Sequence, residues 1–383
     1  MNIVSKLPDV KESVFARMTA LANQHQAINL AQGFPDFNPP KELIENLYNA
    51  ASSNFNQYAP MPGVLNLRNE ICNRLLNRYH FKANPETDIV VTAGATQALF
   101  TIISAFISKN DKVLIVEPAY DSYVPAVISN GGEPIYISLK SPDFKFPLEE
   151  LKNMLERHTI KMIMINNPHN PCGSILSKEE MESLRSILSD YQGIIVWDEV
   201  YDYLVFDDLL HQSALLYEDL MKKSVVVYSM GKTLHNTGWK VGYTVSNADI
   251  AKEIKKLHQF TVFSVNTPAQ QAIAEFMSVN PTFFNELPKF YQDKRDFFLK
   301  CMEGLPLNFY TPQGSYFALA DFKSWFQGND EEAAVKLVSK CGVAAIPLSP
   351  FYHDSYDPGM LRFCFAKKED TILRAAEKLH QLL

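Results

Sequence analysis

Short apolar runs rich in β-branched residues alternate with longer segments of helical pattern along the middle of the chain. Each run is five to seven residues long and several are apolar throughout, which is typical of strands covered on both faces. The predicted strands are Asp88–Thr92, Lys112–Glu117, Glu133–Leu139, Lys161–Asn166, Gly193–Asp198, Ser224–Ser229 and Lys240–Val245. The helices predicted between them include Thr96–Ile107, Leu148–Arg157, Lys178–Tyr191 and Ala214–Lys222.

This alternation predicts an α/β fold with a mostly parallel central sheet and helices on both faces. The last hundred residues differ, because long helical patterns there flank only short strand candidates. The helical patterns are Pro281–Met302 and Glu331–Lys340, and the strand candidates are Ser315–Ala320, Ala344–Pro347 and Met360–Phe365. We therefore expect a large domain over residues 46–280 and a smaller α+β domain over 281–383, with residues 1–45 as an N-terminal arm that joins the smaller domain.

Composition excludes several classes of protein. The 383 residues are 46% hydrophobic and 21% charged, which supports a large core and excludes disorder as the main state. The net charge of −7 argues against nucleic acid as the main partner. No apolar run approaches the roughly 20 residues that span a bilayer, and the start lacks a long apolar stretch. Five cysteines without a CxxC pair, and histidines without an HExxH motif, predict no disulfide framework and no metal site. We expect a cytoplasmic protein.

Polar residues follow the carboxyl ends of five predicted strands, at the edge where open α/β sheets bind ligands. They are the Gly94-Ala95-Thr96 turn, Tyr120, Asn170, Asp198 with Tyr201, and Lys232. Each alone is explained by a helix start, a turn or a solvated strand end. Five independent surface features do not fall at one sheet edge by accident, so together they predict a site.

The chemistry of this set indicates one kind of ligand. A helix N-terminus binds phosphate, and an aromatic side chain can stack on a ring. A lysine amine forms a Schiff base with an aldehyde, and a carboxylate keeps a ring nitrogen protonated so that the ring accepts electrons. A phosphorylated aromatic aldehyde meets all of these groups, and the sequence therefore predicts pyridoxal phosphate.

Four motifs carry a family resemblance: Asn-Gln-Tyr-Ala-Pro at 56–60, Asn-Asn-Pro-His-Asn-Pro at 166–171, Asp-Glu-Val-Tyr at 198–201 and Ser-Met-Gly-Lys at 229–232. The chain resembles the fold-type-I pyridoxal-phosphate aminotransferases of class I/II. Within them it is most similar to the branch of methionine aminotransferases and kynurenine aminotransferases. The resemblance runs nearly end to end, from residues 29–36 to residues 361–363.

The resemblance implies a role for each matching residue. Lys232 is expected to bond to the cofactor and to carry a proton, and Asp198 to pair with the ring nitrogen. Tyr201 and Asn170 are expected to donate to the ring oxygen, and Tyr120 to stack on the ring. The expected phosphate contacts are Gly94, Ala95, Thr96, Ser229, Lys240 and, from a neighbouring subunit, Tyr58. The aspartate branch of the family has an arginine where this chain has Lys240. Lysine at this position also occurs in the kynurenine branch, so we interpret it as a marker of that branch.

The resemblance also implies a substrate site. Arg362 is expected to bind the α-carboxylate, with the Gly33 backbone nearby. The remaining predicted substrate contacts are Phe34, Asn170 and Phe263, with Tyr123 or His258 as a polar edge. An apolar wall of this kind favours methionine as amino donor, and after it phenylalanine, tyrosine, histidine or kynurenine.

The leading hypothesis is thus a homodimeric aminotransferase with shared active sites, which moves an amino group from an L-amino acid to a 2-oxo acid by a ping-pong mechanism. A pyridoxal-phosphate cysteine-conjugate β-lyase would use the same cofactor residues and stays open as an alternative. An inactive cofactor-binding regulator is the alternative from another class. A regulator is expected to carry a DNA-binding segment, whereas this chain begins in the family's N-terminal arm and keeps Lys232 and Arg362.

Overall fold

The computed structural model describes residues 3–10 and 12–382. The helices are α1 Val14–Gln24, α2 Lys41–Ala51, α3 Leu65–Tyr79, α4 Gly94–Phe106, α5 Tyr123–Ser129, α6 Leu148–Arg157, α7 Lys178–Ile187, α8 Glu218–Met221, α9 Met230–Thr233, α10 Ala248–Thr261, α11 Thr267–Val279, α12 Phe283–Cys301, α13 Asp330–Cys341 and α14 Glu369–Leu379. The strands are β1 Ile28–Asn29, β2 Ile89–Thr92, β3 Lys112–Glu117, β4 Glu133–Ser138, β5 Ile160–Asn166, β6 Ile194–Asp198, β7 Ser224–Ser229, β8 Gly242–Ser246, β9 Asn308–Phe309, β10 Phe317–Asp321, β11 Val343–Ala344, β12 Ile346–Pro347 and β13 Met360–Cys364.

A seven-stranded sheet forms the centre of the molecule, with the strand order β2-β8-β7-β6-β5-β3-β4. β8 is antiparallel to both of its neighbours, and the other strands run in one direction. This confirms the predicted α/β class with a mostly parallel sheet. Because β3, β5, β6 and β7 are parallel, their carboxyl ends meet at one edge.

The continuous apolar runs of these strands arise because both faces of the sheet are covered. In β3, Val113 and Ile115 pack into one hydrophobic cluster, whereas Leu114 and Val116 pack into the other. Side chains that alternate between two dry faces make every position of such a strand apolar. The pattern that predicted the strands therefore has its cause in the two layers of helices.

A second, antiparallel sheet has the order β12-β13-β10-β9, and β1 pairs in parallel with β11. The N-terminal helix α1 packs against α13, β11 and β12, so the start of the chain lies against its C-terminal part. The domain boundaries at residues 45 and 280 stay a prediction. None of the helices in the described part is long and apolar enough to cross a membrane.

Some predicted elements are wrong in extent. The helix Ala214–Lys222 is a 3-10 turn over Ala214–Leu216 and the short α8, because Tyr217 between them is extended. The strand Ala344–Pro347 divides between two sheets, with one part in β11 and one in β12. The predicted strand from Lys240 begins at Gly242, since Lys240 itself has a φ of 54°.

The helix predicted over Lys178–Tyr191 is also shorter, and α7 ends at Ile187 with Leu188 as its C-cap. Most other predicted boundaries agree with the structure within one or two residues. Lys112–Glu117, Leu148–Arg157 and Ser224–Ser229 agree at both ends.

A buried polar network supports the segment that follows β6. Arg74 of α3 forms an ion pair with Asp202, and the guanidinium lies over the ring of Tyr203 at 4.7 Å. Glu199 accepts hydrogen bonds from the hydroxyls of Ser213 and Tyr228, at 2.7 and 2.8 Å. Buried polar groups that are fully partnered fix the local geometry. The network therefore holds residues 198–202 rigidly at the edge of the sheet.

Candidate active site

A cavity of about 410 Å³ lies at the carboxyl ends of the parallel strands. It contains 13 of the 15 residues that the sequence analysis named as catalytic, cofactor or substrate residues. These are Gly33, Phe34, Gly94, Ala95, Thr96, Tyr120, Asn170, Asp198, Tyr201, Ser229, Lys232, Lys240 and Arg362. The fold thus brings together residues that are up to 329 positions apart in the chain, from Gly33 to Arg362 (362 − 33).

Asp198, the last residue of β6, presents a buried carboxylate to this cavity. Its Oδ2 accepts a hydrogen bond from the Tyr123 hydroxyl at 2.5 Å, whereas its Oδ1 is buried without a partner. Burial raises the pKa of Asp198 to about 6, against the lowering effects of Tyr123, the backbone of Val200 and the charge of Lys232. A buried carboxylate oxygen without a donor is costly, so the site is suited to a ligand that brings a proton or a positive charge.

Lys232 lies on α9, directly after β7. Its Nζ donates to the Tyr316 hydroxyl at 2.7 Å and to the carbonyl of Gly33 at 3.1 Å. Burial, together with the charge of the nearby Arg362, lowers the pKa of Lys232 to about 8. A lysine with a lowered pKa is a nucleophile and a base near neutral pH.

One end of the cavity is built to bind an anion. The first turn of α4, Gly94 to Thr96, presents free backbone N–H groups at the N-terminus of a 13-residue helix. A Cβ on Gly94 would lie 3.3 Å from Nζ of Lys240, which places that ammonium beside the turn. Ser229 and Thr237 line the same cavity. The Tyr120 hydroxyl lies 3.3 Å from Oγ1 of Thr96, so the aromatic ring adjoins this end.

The cavity is also lined by Arg362 of β13, which is buried. Its Nη1 donates to Oδ1 of Asn170 at 2.9 Å and its Nη2 to the carbonyl of Ala31 at 2.8 Å. Its Nε is buried without a partner, and the guanidinium lies 3.9 Å from the centre of the Phe317 ring. Burial lowers the pKa of Arg362 to about 10, so the side chain stays charged at neutral pH. A fixed planar cation of this kind binds carboxylates.

Four successive carbonyls of the loop at residues 31–34 accept hydrogen bonds from side chains. Arg362 donates to the carbonyl of Ala31, and both Lys232 and Tyr316 donate to that of Gly33. The buried Lys367 donates to the carbonyls of Gln32 and Phe34, at 3.4 and 2.8 Å. A Cβ on Gly33 would lie 2.7 Å from Cζ of Phe317, so this loop can approach the aromatic ring only with glycine at that position. The loop is thus held rigidly against the cavity.

Two of the predicted site residues lie outside the cavity of this chain. The Tyr58 side chain is 83% exposed, and its ring contacts Phe263 at a centroid distance of 5.3 Å. The two proposed polar-edge residues also lie outside it. Tyr123 is buried behind Asp198, and His258 is buried with Nδ1 3.3 Å from Nε2 of Gln97.

Several side chains around the cavity were missed by the sequence analysis. Phe15 and Phe317 line it and contact Arg362, while Tyr316 contacts Lys232. Tyr123 was named as a polar edge of the substrate site, but its hydroxyl contacts Asp198 instead. Tyr316 and Phe317 lie within the predicted strand Ser315–Ala320, but an aromatic pair at such a place is ordinary core by its pattern. The described residues contain no group of three or more His, Cys, Asp or Glu that could hold a metal ion.

The comparisons with known proteins identify the family. The family model of aminotransferase class I and II matches residues 25–379. The chain belongs to this family. It is 41% identical over 378 residues to methionine aminotransferase of Escherichia coli, and the alignment covers 99% of this chain and 98% of the relative. It is 32% identical to kynurenine–oxoglutarate transaminase of Dictyostelium discoideum, over 97% of this chain and 94% of the relative.

A solved structure gives the same assignment. YbdL from Escherichia coli, described with a methionine aminotransferase function, matches with a TM-score of 0.96 and 40% identity over the full length of both chains. The predicted aminotransferase class and fold type are therefore confirmed, and the protein is a transaminase. None of the relatives named here is a lyase or a regulator. The family is pyridoxal-phosphate-dependent.

The lowered pKa of Lys232 predicts how its reactivity depends on pH. Because the neutral amine is the reactive form, labelling by an amine-specific reagent should be half-maximal near pH 8 in the ligand-free protein. Ordinary lysines reach the same point only near their usual pKa of about 10.4. Brief labelling at a series of pH values, followed by peptide mass mapping, measures the midpoint of labelling for Lys232 and for the exposed lysines. A midpoint for Lys232 above pH 10 would contradict the desolvated environment described here.

Proposed function

We propose that this aminotransferase holds pyridoxal phosphate in the cavity and transfers the amino group of a neutral, flexible or aromatic L-amino acid, methionine first, to a 2-oxo acid. The observation that carries the proposal is the unpartnered, buried Oδ1 of Asp198, in one cavity with the Lys232 amine. A carboxylate that needs a cation and a lysine that reacts with an aldehyde match the two ends of one pyridine ring.

The charges and shapes of the cavity fit this cofactor. Asp198 would pair with the ring nitrogen, whose positive charge would in turn lower the pKa of that carboxyl. Tyr120 would cover the ring, and Asn170 and Tyr201 would donate to its oxygen. The phosphate contacts would be the N–H groups of Ala95 and Thr96 with the side chains of Ser229 and Lys240. When bound, the cofactor supplies an electron sink for the negative charge that develops at Cα.

The remaining residues bind the amino acid. Arg362 is charged, buried and aimed at the cavity, so it would bind the α-carboxylate through its guanidinium. Asn170 already contacts Nη1 and would steer this contact. Lys232 would take the proton from Cα of the amino acid, because its neutral amine is available near pH 8. It would then return the proton two atoms away, as a 1,3-proton shuttle.

The lining of the cavity supports an uncharged side chain on the donor. Phe15, Phe34 and Phe317 give it an apolar wall. Among the described residues that line the cavity, the cations are Lys232, Lys240 and Arg362, each of which has a task above. A dicarboxylate donor would need a further cation. The relatives named for methionine and kynurenine transamination support the same donor class.

The covalent role of Lys232 is tested by the Lys232→Ala variant. Wild-type protein incubated with pyridoxal phosphate and reduced with borohydride should carry the cofactor on the peptide containing Lys232. The variant should carry none there and should lose turnover by several orders of magnitude, since both nucleophile and base are gone. Peptide mass mapping and a transamination assay measure the two effects. A variant that keeps normal turnover would contradict the proposed function.

The donor class is tested by kcat/KM for methionine, phenylalanine, kynurenine and aspartate with one common 2-oxo acid. Methionine should be best and aspartate worst. Phenylalanine and kynurenine should fall within about 10- to 200-fold of methionine, because an apolar wall separates such side chains by only about 1–3 kcal/mol. If aspartate is best, the donor proposal is wrong, while the aminotransferase assignment stands on its own evidence.

We also propose that two copies of the chain form a dimer in which Tyr58 reaches the partner's phosphate site. Large exposed aromatic side chains support this: Tyr48 is 72% exposed, Tyr58 83% and Phe260 89%. Contiguous exposed apolar side chains mark interaction surfaces, and Tyr58 contacts the exposed Phe263; a two-fold dimer is also the commonest assembly. Within one chain Tyr58 lies outside the cavity, so its role depends on the partner. The cytoplasmic location stays a prediction.

Mixed dimers test the shared site. A dimer of a Tyr58→Phe chain and a Lys232→Ala chain contains one site with both native residues and one with neither. Hybrids purified through two different tags should therefore show about half the activity of wild-type dimers and exceed both parent variants. Hybrids no more active than the Tyr58→Phe parent would rule out contribution of Tyr58 across the interface.

A further inference from the structure

The hydroxyl of Tyr316 is hydrogen-bonded both to the Lys232 amine and to the carbonyl of Gly33. Tyr316 directly precedes β10 and is fully buried, with its ring 5.0 Å from that of Tyr201 and 4.9 Å from that of Phe317. Its oxygen accepts a hydrogen bond from Nζ of Lys232 at 2.7 Å, and its O–H donates to the carbonyl of Gly33. The same carbonyl accepts a second hydrogen bond from Nζ at 3.1 Å.

This arrangement determines which way the amine points. A neutral amine has two N–H groups and one lone pair. The Gly33 carbonyl is an acceptor only, and the single hydroxyl proton of Tyr316 is already donated to that carbonyl. Both neighbours therefore accept N–H groups of Lys232, and neither can donate to its lone pair. The lone pair is left pointing in a third direction, away from both acceptors. Because Lys232 lines the cavity, that direction is open to a ligand in it.

We propose that Tyr316 is a positioning residue for Lys232: its hydroxyl accepts an N–H group of Lys232 and, together with the Gly33 carbonyl, directs the lysine lone pair into the cavity. The inference rests on the proposed function. In the proton transfer, the Cα–H bond of the amino acid breaks and an N–H bond forms on Lys232. The electron pair stays with the substrate carbon and is delocalised into pyridoxal phosphate. The new ammonium keeps both acceptors, which stabilise its charge.

The same orientation serves the reaction of Lys232 with the cofactor aldehyde. That reaction also needs a lone pair in the cavity, since the nitrogen attacks the aldehyde carbon to form the carbon–nitrogen bond. The carbon–oxygen bond breaks, and the oxygen leaves as water with the two protons that the amine loses. Noncovalent capture of the cofactor would use the phosphate end and Asp198, which do not contact Tyr316, and Tyr201, whose ring contact with residue 316 is kept in Tyr316→Phe. Loss of the hydroxyl should therefore slow the covalent step and leave capture unchanged.

The test is the Tyr316→Phe variant, with Tyr291→Phe as the matched control. Tyr291 belongs to the same buried aromatic cluster, 6.0 Å from the Tyr316 ring, but its hydroxyl lies 3.0 Å from Nδ1 of His235 and has no contact with Lys232. Both changes remove one buried hydroxyl and keep the ring. Equal melting temperatures establish that each variant folds, and Tyr316→Met, which also lacks the hydroxyl, replaces Tyr316→Phe if the latter is unstable.

Two measurements follow, one without turnover. In stopped-flow mixing of apoprotein with pyridoxal phosphate, the unimolecular covalent phase of Tyr316→Phe should be about 10- to 100-fold slower, as for loss of one hydrogen bond to a charged group. The affinity for pyridoxamine phosphate, which lacks the aldehyde, should stay within about twofold. In turnover, kcat should fall by a similar factor with KM nearly unchanged, and the isotope effect of Cα-deuterated methionine should rise.

The outcomes separate the two claims. Wild-type rates in Tyr316→Phe, or an equal loss in Tyr291→Phe, would overturn the role of Tyr316 and leave the proposed function intact. A wild-type protein that forms no covalent bond to the cofactor at Lys232 would overturn both. A selective loss in Tyr316→Phe, with unchanged affinity for pyridoxamine phosphate, supports the proposal.

Discussion

The carboxylate of Asp198 is buried at the end of β6 with only one of its two oxygens hydrogen-bonded. A buried carboxylate is expensive, and its raised pKa of about 6 expresses that cost. Tyr123 and the network around Arg74 and Glu199 keep it in place, because they fix the backbone on either side. A cation in the cavity would complete the site. The other polar groups are arranged around the place where that cation would lie.

The two sheets contribute different parts of the site. The parallel sheet supplies the anion-binding turn of α4, Asp198 and Lys232, whereas the antiparallel sheet supplies Arg362, with Tyr316 directly before one of its strands. The loop at residues 31–34 joins them, because its carbonyls accept hydrogen bonds from Arg362, Lys232 and Lys367. A change in the position of Arg362 would therefore be transmitted to the loop, and through Gly33 to the lysine amine.

The sequence predicted the part of the site that follows from the parallel sheet. Once the strands were recognised, the rule that their carboxyl ends meet was sufficient to group Thr96, Tyr120, Asn170, Asp198 and Lys232. Arg362 came only from the family resemblance, since nothing in its local pattern separates it from any buried strand residue. Tyr316 and Tyr123 were not given their roles, because a hydroxyl inside an aromatic cluster shows its partner only in three dimensions. Tyr58 and Phe263 lie outside the cavity of one chain, and the roles predicted for them stay predictions. The helix predicted over Ala214–Lys222 failed because one extended residue, Tyr217, divides a segment of helical pattern.

The central claim is that Asp198 stabilises a positive charge on a bound ring. Asp198→Asn keeps the shape and removes the negative charge, and Asp330→Asn, a buried carboxylate outside the cavity, is the control. The measurement is the single-turnover rate with methionine, together with the dissociation constant of the cofactor. The account predicts a rate about 100-fold or more below wild type for Asp198→Asn, with cofactor affinity reduced by less than about tenfold. A rate within about threefold of wild type would contradict it.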